Sequence, residues 1–187
     1  MSAFYLLGVL ILWGWLTWLL WKAGRRFLRF GVGHISLRLV LLAVVALVWF
    51  GGSFWGGGGK KLYWDAKVRE MCAIDGGVMV FETVELPGEM FDRWGNVGLK
   101  NKNYAEPIDK FYYESDQFII RGGDPQITKY VTRVVRRSDE KILGVSIRYG
   151  RGGGDFPGPW HPSSYSCPSI QDSSGKLESD IFRKRSQ

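Results

Sequence analysis

Residues 142–149 read ILGVSIRY, with Leu143, Val145, Ile147 and Tyr149 alternating with Gly144, Ser146 and Arg148. Successive side chains of a strand point to opposite faces, so this period of two predicts a β-strand with one buried face. Such strands belong to antiparallel sheets that face water on one side. Working backwards, Ile127–Arg137 and Phe111–Arg121 are further candidate strands. The loop Ser138-Asp139-Glu140-Lys141 and the turn cluster Gly122-Gly123-Asp124-Pro125 separate them. Val78–Leu86 is rich in β-branched residues and ends at Pro87. PGEMFDRWG, 87–95, suggests a helix of one or two turns with Met90, Phe91 and Trp94 facing inward, and 96–107 is a loop. Before these strands, LYWDAKVREMCAI, 62–74, places Trp64, Val68, Met71 and Cys72 on one helical face and Asp65 four residues ahead of Arg69. Gly76-Gly77 stops that helix. The expected product is a small α+β domain over 60–168, an antiparallel sheet packed on the 62–74 helix.

The chain ahead of this domain is of another kind. Phe4–Trp21 and Leu39–Trp55 carry no charged residue. About 17–20 apolar residues suffice to cross a bilayer core. Trp18, Trp21, Trp49 and Trp55 lie where interfacial indoles are expected. The spans 4–21 and 39–55 therefore predict a two-helix transmembrane hairpin over 1–58. A cleaved signal peptide is disfavoured, because a basic leading region and a small-residue cleavage site are both missing.

Residues 1–59 hold five Lys or Arg and no acid, against twenty Lys or Arg and eighteen acids in 60–187. The basic residues lie in 22–38, which predicts a cytoplasmic loop with Arg25, Arg26 and Arg29 at the membrane surface. The N-terminus and the 60–168 domain then lie outside, in the periplasm of a bacterial inner membrane. The near-balanced charge of that domain argues against nucleic-acid binding. The glycines of 51–61 suggest a loose linker. The polar segment 169–187 reads as a disordered tail.

Cys72 and Cys167 are the only cysteines. An even number in an extracytoplasmic domain suggests a disulfide between them, the alternative being two separate buried thiols. Arg148, Arg151, Gly152 and Gly153, with Trp160 and His161 further on, form the candidate binding stretch: amide-rich glycines with cationic rims suit an anion. The lysine and following helix of a phosphate loop are missing, and an exit turn from the last strand explains the glycines as well. Ser163, Ser164 and Ser166 near His161, with Asp155 upstream, offer the residue types of a hydrolase without its nucleophile motif. His161 is the only histidine of the outer domain, so neither a metal nor another cofactor is expected.

KVREMCAIDGGV, VVRRSDEKILG and YGRGGGDFPGPWHPSSYSCP resemble motifs of a proteobacterial envelope protein family of unknown function, over about 60–168. The resemblance implies a bacterial envelope address and assigns no functional residue. The expected function is that of a membrane-anchored periplasmic binding protein with a protein partner, an accessory subunit of an envelope complex or an immunity or exclusion factor. The alternatives are an envelope hydrolase using His161 and a purely structural membrane subunit.

Overall fold

The computed structural model describes residues 2–30 and 34–185. It divides into two compact units, 1–61 with 154–162, and 62–153 with 163–187.

The first unit is built on α1 (Ser2–Phe30) and α2 (Ile35–Phe54), both long and apolar enough to cross a membrane. A hydroxyl–indole clamp joins them. The Trp13 indole N–H donates to Ser53 Oγ at 3.0 Å, and the Trp49 indole to Thr17 Oγ1 at 3.1 Å. Each hydroxyl in turn donates to the carbonyl four residues back, Thr17 to Trp13 and Ser53 to Trp49. The same W-x-x-x-S/T spacing on both helices thus satisfies two indoles where the surroundings are otherwise apolar.

The basic stretch 22–38 is mostly helix rather than loop. α1 continues through Arg25, Arg26 and Arg29, with Arg25 stacked 3.6 Å above the Trp21 ring and Lys22 4.8 Å above Trp18. Residues 31–33 lie outside the described residues. The glycines of 51–61 do not form a loose linker either. A π-helical turn, Trp55–Gly59, leads from α2 into α3 (Lys60–Asp75), with non-helical backbone at Gly58. Gly59 is required by packing, since a Cβ there would fall 2.6 Å from the Phe54 ring. In the same unit, segment 154–162 lies on α1: Tyr5 donates to the Pro157 carbonyl and packs edge-on to Trp160, and Asp155 pairs with Lys61 at 3.1 Å.

The second unit carries the sheet. Its strands are β1 (Gly77–Val80), β2 (Val84–Leu86), β3 (Lys100–Asn101), β4 (Phe111–Arg121), β5 (Gln126–Arg136), β6 (Lys141–Gly152), β7 (Ser164–Cys167) and β8 (Phe182–Lys184). The main sheet runs β1-β6-β5-β4-β3, and β7 follows β1 along the same edge of β6. It is mixed and not purely antiparallel, because β3 runs parallel to β4, and β2 and β8 form a separate parallel pair. Val78–Leu86 is two strands, and 87–95 holds only a 3₁₀ turn at Gly88–Met90, with Trp94 exposed.

Both faces of the sheet are covered in part. On one, α3 lays Val68 and Cys72 against Ile127, Val131, Ile147 and Tyr149, with Trp64 and Met71 alongside. Cys72 is disulfide-bonded to Cys167 on β7. On the other, Leu177, Ile181 and Phe182 fill a second core with Leu86, Phe111, Val134 and Leu143. The segment 169–185, expected to be disordered, therefore supplies α4 (Lys176–Ile181), β8 and three of the most buried side chains. Its mean polarity concealed them: Leu177 and Ile181 are four apart on one helical face, and Phe182 follows directly. Ser186 and Gln187 lie outside the described residues.

The alternation that predicted β6 is broken once. Val134 pairs with Gly144, but Val135 pairs with Ile142, leaving Leu143 as an extra residue in a bulge. Leu143 consequently packs with Leu177 and Ile181, not with Val145, Ile147 and Tyr149. Its carbonyl accepts the amides of Phe81 and Glu82, tying the β1–β2 link to the bulge. Beside it, a Cβ on Gly144 would meet Ile181 Cδ1 at 2.9 Å, the Met79 carbonyl at 3.0 Å and Leu177 Cδ1 at 3.1 Å. Gly144→Val is expected to overpack this site, cost about 1–3 kcal/mol and loosen the C-terminal segment. Limited proteolysis should then cut within 169–185 at protease levels that spare the wild type; equal protection would show that α4 tolerates the branch.

A hydroxyl-lined groove as candidate functional site

Cross-strand pairing places side chains of the α4-covered face in rows. Tyr113, Val134 and Gly144 form the first, Ser115, Thr132 and Ser146 the second, and Gln117, Tyr130 and Arg148 the third. α4 covers only the first row well. Beyond it the sheet lies open beneath Ser173, Ser174, Leu177 and Glu178, with Leu99 closing one side, and this leaves a groove of about 360 Å³.

Its polar groups differ in how they are held. The Glu178 carboxylate accepts the amides of Val97 and Gly98, so it fixes the 96–99 loop and is already engaged. Ser173 donates to the Ser169 and Ile170 carbonyls. Ser115 and Thr132 lie 3.5 Å apart. Ser146 is 3 % exposed and contributes its side chain to the groove lining. The Arg148 guanidinium lies 4.4 Å from the Tyr130 ring centre and is in no ion pair among the described residues. A cation outside any ion pair among the described residues, set in a concavity lined with hydroxyls, leaves hydrogen-bonding capacity that a ligand can use.

Of the residues singled out from sequence, Arg148 lines this groove. Arg151 does not: it is 2 % exposed, pairs with Asp65 at 2.5 Å, and donates to the Gly153 and Ser163 carbonyls and to Ser163 Oγ. Gly153 has φ 82°, a conformation that favours glycine, and its amide donates to the Ser163 carbonyl at 3.0 Å. Gly152 is the exposed last residue of β6. The glycine stretch is thus the exit from a strand, with its cation and the Gly153 amide already bonded internally, rather than an anion cradle. Trp160 packs against Tyr5 and Phe156, and His161 is exposed with no hydrogen bond to a serine or carboxylate among the described residues. These two belong to the helical unit. No group of three or more His, Cys, Asp or Glu suited to a metal occurs among the described residues.

The groove residues missed from sequence are Tyr113, Ser115, Gln117, Tyr130, Thr132, Ser146 and the tail serines. The available signal was polar alternation, Tyr113-Ser115-Gln117 on β4 and Tyr130-Thr132 on β5, which reads equally as a wet sheet face. Across the sheet, polar side chains serve the fold instead. Lys129 donates to Asp75 at 2.6 Å and the Tyr149 hydroxyl donates to it at 2.7 Å. These bonds hold the Asp75 carboxyl below the usual range and raise Lys129 above its own.

Comparison of the chain with known families, characterised proteins and solved structures finds no match.

Proposed function

We propose that the protein is a bacterial inner-membrane protein that displays a disulfide-stapled binding domain in the periplasm and holds its ligand in the sheet groove. One observation carries the binding role: Arg148, in no ion pair among the described residues, lines an open groove otherwise rich in hydroxyls, Ser146 among them. The address is supported by two apolar helices, by Arg25, Arg26 and Arg29 at one end of α1, and by the Cys72–Cys167 bond, which persists in oxidising compartments. The role is that of an accessory subunit or exclusion factor that recognises a molecule near the membrane surface. Nothing in the contacts of His161 favours a hydrolase.

The test uses full-length protein in nanodiscs exposed to the small-molecule fraction of a periplasmic extract. Amide exchange around Gln117, Thr132 and Arg148 is expected to slow in the wild type and in His161→Ala, but not in Thr132→Trp, which fills the groove. An equal response in Thr132→Trp, or no response in the wild type, sinks the reading.

A further inference from the structure

We propose that the groove takes a small sugar acid, a polyhydroxylated ring bearing one carboxylate that meets Arg148. This rests on the groove being the binding site and adds what it binds. Among the described residues, Arg148 is the only cation lining it, and the only acid there, Glu178, is committed to the amides of Val97 and Gly98. A guanidinium fork with free N–H donors suits a planar carboxylate, which it grips with two parallel bonds. One cation balances one negative charge. A phosphate dianion would carry excess charge into a groove that already contains a carboxylate.

The rest of the lining is neutral and rich in hydroxyls. Ser115, Thr132, Ser146, Tyr113 and Tyr130 can each donate and accept, and Gln117 adds an amide. A ligand with several hydroxyls matches such a surface, the Ser146 hydroxyl included. Leu99, Val134 and Leu177 give the groove an apolar end, which suits the C–H face of a sugar ring. Its volume is at the small end for ligand sites, enough for a ring or two. An acidic peptide fits less well. The β4, β5 and β6 backbones are already paired with one another along the floor, so they offer a peptide few main-chain partners.

The experiment is saturation-transfer NMR on full-length protein in zwitterionic nanodiscs, with glucuronic acid, glucose, inorganic phosphate and triglutamate as separate probes. Glucuronic acid is expected to bind, and glucose more weakly. Arg148→Gln should weaken glucuronic acid about tenfold or more, with an unchanged denaturation midpoint. Ser146→Ala should weaken it about two- to tenfold, and Arg148→Lys, which keeps the charge without the fork, should fall between wild type and Arg148→Gln. Glucose equal to glucuronic acid, phosphate or triglutamate binding more tightly, no binding by any probe, or indifference to Arg148→Gln overturns the sugar acid. If extract protection is still lost in Thr132→Trp under any of those outcomes, the groove stands and only its ligand class falls. If that protection is retained, the binding site falls as well.

Discussion

Replacing Arg151 by Ala is expected to destabilise the sheet-bearing unit by about 3–5 kcal/mol, the usual consequence of removing one partner of a buried ion pair. The side chain is the largest of those fully buried among the described residues, and it joins three parts of the fold. It reaches Asp65 on α3, the Gly153 carbonyl just beyond β6, and the Ser163 carbonyl and hydroxyl just before β7. The Asp65 side chain is only 15 % exposed, so the substitution leaves a carboxylate with little water and no counter-charge. Pulse proteolysis of the full-length protein in detergent, across a urea series, reads the shift in midpoint. Arg151→Met combined with Asp65→Asn should recover part of the loss, because the orphaned charge is gone. A wild-type midpoint for Arg151→Ala would mean that the network contributes nothing.

Removing the disulfide should be comparably damaging. The bond spans 95 positions and joins α3 to β7. In the chain-entropy treatment, closing a loop of that length stabilises by about 4–5 kcal/mol. Cys72→Ser, Cys167→Ser and the double variant should lose the same amount, since either change abolishes the same bond. Reductant should bring the wild type down to their midpoint and leave the variants where they are. A wild type that ignores reductant, with alkylatable thiols in protein taken from cells, would show that the bond does not form.

Arg151 also shows where reading the sequence stops. From the linear chain, Arg151 and its glycines resembled an anion site, because cations beside flexible backbone amides are the residues such a site needs. Whether those donors remain free depends on what folds against them. Asp65 is 86 positions away and Ser163 is 12, and together with the Gly153 carbonyl they engage all three guanidinium nitrogens. Arg148, three residues earlier, had the same standing in sequence and meets no carboxylate among the described residues.

The sequence by itself determined whatever depends on local pattern. Apolar run length set the two helices, and helical spacing placed Val68 and Cys72 on one face of α3. Period-two alternation set β6, turn signals marked off β4 and β5, and the cysteine count with its placement pointed to Cys72–Cys167. Only the tertiary structure decided what depends on partners distant in the chain. The bulge at Leu143 turned one core residue to the opposite face, because β6 carries one residue more than β5 there. Leu177, Ile181 and Phe182 ordered a polar tail, because three well-placed apolar side chains found a core that average composition could not reveal. The groove arose where that tail covers one row of the sheet and leaves the next two open, so the same polar alternation that reads as a wet face became a concave, hydroxyl-lined site.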